Sequence, residues 1–591
     1  TMAVYLPLTE EARKEAIDKM LPSKNLFSST NYGIMHAPDQ ESIIGLHLAT
    51  FWGGKKDKTY GSLQDIVNDK TLHRSDVVKY KIDGVEKETT KSRALLASHL
   101  PSEFPQDKKD KLLHDSSFNF KKGSIHDYLE SAARVDKKNH PNLVDGWRNV
   151  GNETAYRAGF SFSLEDLKPN KELRDKILNP YHAEVAKVRA SSLGAQEKDD
   201  KAIELYGKAT KDLEKEFTEY YRNKNNHMHK MVDIKARGNF GQFRQTVIAP
   251  MLMADNNGVI PEPVTKSYSE GLSVDQYWKT LYGARMGTLA RAQSTATPGA
   301  LAKELSNINV ATTIASHDCG TTKGHFIPII GKDGKEEIDI TDRYLAKDIS
   351  HEGLNIKANT LVTPELLSKM KNVGVQKVEV RSPLGCKDTI GICQKCMGLS
   401  SEGTHHEIGT NIGMIASQAL SEPAMQLSMD AFHSGGIASG RGVQQTSNLQ
   451  KALHLFNLPK TLPNSAVLAK HSGTVSRIEK DPSTNGHYIF VKAEKDEHKH
   501  YVPPSRDLLV KSGDGISRGD SLSDGVINPR QLLQYKNMDA VREHITDQLH
   551  RIYKGIGDTR RRNVEVVVKN LTNLTEVHDP GKSEHLTGDI L

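Results

Sequence analysis

The sequence predicts a multidomain α+β chain. Its 591 residues exceed what one hydrophobic core usually holds and suggest about four domains at ~150 residues each. Charged, helical patterning fills 165–230, while strands and Gly-Asp turns alternate over 465–530, so the two element types occupy separate stretches. All four cysteines fall where a single metal ion could take them.

The 36% apolar and 26% charged content is that of a globular chain able to bury large cores. No run of 18 or more apolar residues suggests a membrane helix, and the N-terminal TMAVYLPLTEEARKEA lacks the basic-then-apolar order of a signal peptide. A reducing compartment follows, which favours metal binding over disulfides. The net charge of +6 permits nucleic-acid binding without requiring it. Three basic runs, Lys55/Lys56/Lys58, Lys108/Lys109/Lys111 and Arg560/Arg561/Arg562, read individually as solvated surface.

Taken in order, AVYLPL reads as a short strand and TEEARKEAIDKML as a helix with Thr9 as N-cap. IIGLHLATFW reads as a second, buried helix. Residues 51–145 are lysine-rich and irregular, with a hairpin signal in VVKYKIDGVEKETT. The stretch 165–230 reads as an antiparallel helical hairpin broken near Gly194. Residues 231–310 hold two glycine-punctuated helical stretches, the second poor in large apolar side chains so that other groups can come close. HFIPII and KVEVRSP are short strands within 311–400, and 405–440 reads as helix, breaker, helix. Residues 465–530 suggest a small β-barrel or sandwich, and VREHITDQLHRIYKGI a helix followed by a strand, VEVVVKNL.

Cys386, Cys393 and Cys396 form C-x6-C-x2-C, and Cys319 stands 67 residues upstream in HDCGTTKG. Zinc favours tetrahedral thiolate cages, and a CxxC turn offers two sulfurs from one tight loop. Four thiolates leave no open position, so the expected role is structural. A redox CxxC fits badly, because no βαβ pattern surrounds it and two cysteines would be idle.

The string SEPAMQLSMDAFHSGGIAS (421–439) resembles the trigger loop of the β′ subunit of multisubunit DNA-directed RNA polymerases, with Glu422, Pro423, Gln426, Leu427, Met429, Phe432, His433, Gly435 and Gly436 matching. The rest resembles that family in order. Residues 1–50 look like the end of the catalytic double-psi barrel region. Residues 51–164 correspond to an irregular, pore-lining region and 165–230 to the rim-helix coiled-coil hairpin. The segment 231–310 resembles an F-loop-like segment and the bridge helix, and 311–404 the zinc-binding region. The trigger loop and its helices fall in 405–445, and a clamp- or jaw-proximal β-rich region with a C-terminal helix in 446–591.

The resemblance implies roles. His433 would approach the β-phosphate as positional donor or general acid, Met429 would pack on the incoming base, and Gln426 would hydrogen-bond the nucleotide. Arg237 would reach the triphosphate. Thr295 and Ala296 would pack against the newest base pair, and Arg285 and Lys303 would face nucleic-acid phosphates. Pro298–Gly299 would loosen the bridge helix. Asp430, among the nucleotide-contacting positions, stands where the family has a basic residue that helps neutralise the triphosphate.

The family's NADFDGD loop, whose aspartates hold the catalytic Mg2+, is not in this sequence, and its final C-terminal segments have no match. The resemblance therefore implies a split β′ of the kind found in giant bacteriophages. The implied partners are an N-terminal β′ fragment carrying the aspartates, the β subunit or its fragments, a promoter-specificity factor, DNA template, RNA and nucleoside triphosphates, and no membrane. The implied setting is the cytoplasm of an infected host, or the virion. The alternative is a non-catalytic, zinc-stabilised scaffold or regulator that binds nucleic acid without turnover.

Overall fold

The computed structural model describes the backbone except at residues 1–3, 83, 256–257, 294–295, 332–333, 335–336, 352, 434–450, 460–461, 463–464, 494–495 and 591. Within the described elements, the side chains of 286–287, 289–293, 338, 426–433 and 555–556 are also outside the description. The chain divides into two compact units, the first within 4–28, 32–292 and 430–433, the second within 29–31, 293–429 and 451–590.

The first unit begins with helix α1 (Glu10–Glu15), capped as expected by Thr9, which accepts the Ala12 N–H at 3.1 Å. AVYLPL is not a strand. Val4, Tyr5, Leu6 and Leu8 are exposed, and no described strand pairs with them, so their β propensity has no ladder to join. Helix α2 (Glu41–Ala49) is buried, as its apolar run predicts. Strands β1 (Lys55–Tyr60), β2 (Val77–Ile82) and β3 (Val85–Thr90) form one sheet, with β2 and β3 the expected hairpin.

The expectation of an irregular 51–164 is corrected. After β3 come α3 (Lys91–Ser98), α4 (Lys122–Val135) and α5 (His140–Ala158). They close a core around Phe120, Tyr128 and Trp147. The dense surface lysines of this stretch mask widely spaced core positions. Buried Arg93 of α3 also binds the loops, donating to the Thr50, Leu112, Asp115 and Phe118 carbonyls.

Helices α6 (Lys171–Ala190) and α7 (Ala195–Asn223) form the predicted hairpin, with Gly194 as the N-cap of α7. Leu178 and Val185 pack against Tyr206, Leu213 and Phe217. Helix α8 (Phe240–Val247) adds Phe243 to that core, and α9 (Val274–Gln293) ends the unit.

In the second unit, α10 (Ala296–Asn309) precedes strand β4 (Gly324–Pro328), which pairs antiparallel with β5 (Lys377–Arg381). These are the two expected strands. Helix α11 (Gln394–Met397) follows, then α12 (Ile412–His433), which belongs to this unit as far as Met429. The expected break inside 405–440 is absent from the described part: α12 runs straight through Pro423. Ile412, Ala416, Leu420 and Ala424 are buried at helical spacing on both sides of the proline, and that packing offsets the hydrogen bond Pro423 cannot donate. The rest of the expected break and second helix, beyond His433, lies outside the described residues.

Strands β6 (Gly473–Lys480), β7 (His487–Lys492), β8 (Glu497–Val502) and β9 (Gly515–Ile516) form an antiparallel sheet in the order β8-β7-β6-β9. Among the described residues this is one open sheet, not a closed barrel or a two-sheet sandwich. Its inward face carries Val475, Ile489, Val491 and Val502. Helix α13 (Met538–Gly557) matches expectation.

The predicted strand VEVVVKNL is instead part of helix α14 (Arg561–Leu571). Its valines are β-formers by propensity, but Val564, Val566, Val567 and Val568 are all fully buried. A helix packed on every side loses the preference that a half-exposed sheet surface rewards. The reading of Arg560, Arg561 and Arg562 as solvated surface is likewise overturned: they are 8%, 6% and 0% exposed. Arg562 donates to the Thr341 and Leu399 carbonyls, and Arg561 binds Asp547 at 2.6 Å and Glu565 at 3.1 Å. Arg343 reaches Glu565 at 2.8 Å from the other side. Burial works against the Glu565 charge, but the two guanidiniums outweigh it and hold its pKa down at about 2.

Candidate functional site

The four cysteines converge, with ligand atoms within 4.8 Å of one another. Backbone pairing explains how Cys319 returns across 67 residues. Ile392 N–H donates to the Thr313 carbonyl at 3.0 Å, Ala315 N–H to the Ile392 carbonyl at 3.1 Å, and Gln394 N–H to the Ser316 carbonyl at 2.9 Å. Residues 313–316 thus lie beside the knuckle that carries Cys393 and Cys396. Gly391 enters the knuckle at φ 111, and a Cβ there would fall 2.5 Å from the Thr313 carbonyl oxygen, so this position requires glycine.

Inside the knuckle, Cys393 caps α11 and its sulfur accepts the Cys396 N–H at 3.4 Å. Cys386 Sγ accepts the Cys393 N–H at 3.3 Å, and Cys319 Sγ the Lys387 N–H at 3.5 Å. N–H groups aimed at sulfur stabilise thiolates. Cys393 and Cys396 are buried, and Cys319 and Cys386 half-buried.

Sequence reasoning missed Arg381 beneath this cage. Its side chain is fully buried, and Nη2 donates to the sulfurs of Cys319, Cys393 and Cys396 at 3.5, 3.5 and 3.4 Å. Asp318 holds the same nitrogen at 2.8 Å and also pairs with Lys395 at 2.8 Å. Burial alone would disfavour the Arg381 charge; Asp318 and the Cys396 and Cys393 sulfurs outweigh it and push its pKa up. The Arg381 hydrogen bond in turn holds the Asp318 carboxyl well below the usual range. Arg381 lies in VRSPLGC, and nothing in that local string sets it apart from a surface arginine. The donor set fits zinc: four sulfurs, no carboxylate grouped with them among the described residues, and a buried cation that offsets part of the net −2 charge of a Zn(Cys)4 centre.

Helix α12 stands beside this framework. Its N-terminal Asn411 accepts the Met414 N–H at 2.9 Å and donates to the Val310 carbonyl at 2.7 Å. Ser417 donates to the Leu305 carbonyl of α10 at 3.0 Å. A Cβ on Gly413 would overlap the Asn309 carbonyl oxygen, so α10 and α12 touch backbone to backbone there. The first half of α12 is therefore anchored. Gln426, Met429, Asp430 and His433 fall on its second half, spaced i, i+3, i+4, i+7, which is one face of a helix. Their side chains lie outside the described residues.

Arg285 on α9, and Ala296 and Lys303 on α10, are exposed, while Thr295 lies outside the described residues. Pro298 is buried within α10. Arg237, half-exposed, binds Glu41 at 2.7 Å and Gln40 at 3.0 Å. The expected site residues thus fall on both units, with Arg237 and Arg285 on the first and Ala296, Lys303 and the cysteines on the second. Among the described residues, no helix is long and apolar enough to cross a membrane.

A family model described as RNA polymerase Rpb1, domain 5 matches residues 271–586. Relatives named DNA-directed RNA polymerase subunit beta' align along this whole chain. The one from Tropheryma whipplei is 30% identical over 626 residues, and the chain covers 47% of it. The one from Ureaplasma parvum is 29% identical over 681 residues, with 52% covered, and the one from Lacticaseibacillus paracasei 27% over 655 residues, with 53% covered. The chain spans about half the length of the curated relatives it matches.

Proposed function

Because the chain belongs to the RNA polymerase Rpb1, domain 5 family, we propose that it is the C-terminal part of a β′-like subunit of a DNA-directed RNA polymerase. The observation that carries the proposal is the alignment of the entire chain with β′ subunits; the resemblance of the string at 421–439 to the family's trigger loop supports it. In this reading α9 and α10 are the bridge helix, α12 leads into the trigger loop, and α6 and α7 are the rim helices. The cysteines hold a structural zinc.

The chain would supply the closing parts of nucleotidyl transfer, a reaction that rests on positioning and charge neutralisation. Its α12 face would meet the incoming nucleotide: Gln426 hydrogen-bonding the nucleotide or its sugar, Met429 packing on the base, His433 donating to the departing pyrophosphate. Arg237 would contact the triphosphate after leaving Glu41. Thr295 and Ala296 would lie under the new base pair, with Arg285 and Lys303 toward phosphates. When bound, Mg2+ would neutralise the triphosphate charge. The aspartates that would hold it are not among these 591 residues. The β subunit, a promoter-specificity factor, DNA and RNA complete the assembly.

A single feature favours a non-catalytic scaffold, the acidic Asp430 where the family carries a basic residue. Reconstitution with an aspartate-bearing partner and β decides between the two. His433→Ala should slow single-nucleotide addition by 10- to 1000-fold, within the range expected of a positioned acid or donor. Addition at the parent rate would defeat the trigger-loop assignment. Failure of every reconstitution to extend RNA would leave the scaffold reading standing.

A further inference from the structure

Within the second unit, Glu337 caps the short turn Ile338–Ile340, Asp339 lies within it, and His550 belongs to α13. We propose that these three side chains hold a second metal ion, a divalent first-row cation such as zinc or manganese. Their ligand atoms lie within 4.8 Å of one another. All three are buried, at 7%, 0% and 9% exposure.

The geometry favours an ion over direct pairing. His550 Nε2 is 3.8 Å from Glu337 Oε1 and 3.8 Å from Asp339 Oδ2. A charge-assisted N–H···O bond would be about 2.7–2.9 Å, so the ring bonds neither carboxylate. Two ligands each ~2.1 Å from a shared ion stand about 3.4–3.8 Å apart. Both ring nitrogens of His550 and the Oε1 of Glu337 make no hydrogen bond, although buried imidazoles and carboxylates seldom go unsatisfied.

The surroundings have the form of an outer shell. Lys554 Nζ takes the far oxygen of Glu337, Oε2, at 2.8 Å, and the Arg561 N–H donates to Asp339 Oδ2 at 2.5 Å. Such contacts orient ligating carboxylates and leave Glu337 Oε1 and the imidazole facing the gap. One imidazole with two carboxylates suits borderline divalent ions and not thiophilic ones. The ion would tie the 337–339 turn to α13 and to the start of α14, so its role is structural. The inference does not depend on the polymerase reading.

Metal content of the purified full-length chain, dialysed against zinc or manganese and measured by inductively coupled plasma mass spectrometry, tests it. The expected result is two ions per chain. A mercurial that blocks thiols should release one, and His550→Gln should lack the other while keeping the mercurial-sensitive ion. Manganese should compete only for the second ion. If His550→Gln does not fold, Glu337→Gln serves, with folding checked by circular dichroism. One ion per chain in the wild type, all of it mercurial-sensitive, would overturn the site. So would two ions retained in a folded His550→Gln or Glu337→Gln variant. An imidazolium signal from His550 in a chain carrying one ion would show an ion pair instead and would also overturn it.

Discussion

Arg381 Nη2 lies 3.4 Å from the sulfur of Cys396, and both side chains are buried. The same nitrogen reaches two more of the four sulfurs, so a single guanidinium answers most of the cage's negative charge. Arg381→Met should keep the volume and remove the charge and all three N–H···S bonds. Zinc release to a chromogenic chelator should then run about 10- to 100-fold faster, the usual cost of an outer-shell partner. Arg381→Lys should fall between the two. Equal release rates in all three proteins would mean the guanidinium plays no part in holding metal.

Glu565 is shared by Arg343 and Arg561 in a fully buried network. Glu565→Gln removes the buried carboxylate that these two guanidiniums share, while Arg561 keeps Asp547, so the second unit should lose about 3–5 kcal/mol in urea denaturation. Replacing Arg343 as well should cost less than the two single losses summed, because the charge that Glu565 balanced goes too.

Gly45 of α2 sits against Gly151 of α5 so closely that a Cβ on Gly45 would overlap the Gly151 carbonyl oxygen. The obstacle is backbone and cannot rotate away. Gly45→Ala should destabilise the first unit by roughly 1–3 kcal/mol or more and raise amide exchange along α2, with little change in the second unit.

His406 and His500 are held neutral, both at about 4, mainly by burial, with the Arg562 charge adding at His406 and Lys470 at His500. Unfolding frees them to take up protons near 6.5. The unfolded state therefore binds more protons below that pH, so stability is full above about 6.5 and declines as pH falls toward 4. Each histidine contributes up to about 3 kcal/mol to that decline. His500→Leu should flatten the thermal-midpoint profile between pH 6.5 and 4, and an unchanged profile would count against this origin of acid sensitivity.

Much of the architecture was legible because its signals are local. Thr9 announced α1, Gly194 split α6 from α7, and the C-x6-C-x2-C spacing gave the cage. Failures came where distant contacts decide. VEVVVKNL carries every local sign of a strand, and only burial on all sides makes it a helix. The arginines just before it look like surface because their carbonyl and carboxylate partners, near Thr341 and Glu565, are invisible along the chain. Arg381 and the Glu337–Asp339–His550 group were missed for the same reason: each exists as a site only after residues far apart in sequence are brought together.

The pairing of Arg343 with Glu565 spans 222 residues, and Asn563 donates to the Ser29 carbonyl across 534. At translation rates of about 5–20 residues per second, roughly 10 to 40 s separate the synthesis of Arg343 from that of its counter-charge. Cys386, Cys393 and Cys396 are made within that interval, and the apolar faces of α10 and then of α12 wait for α14. The second unit cannot finish folding in the order it is written. A nascent chain of this kind needs a holding partner, and its yield in a cell should respond more to chaperone supply and elongation speed than to the stability of the finished fold.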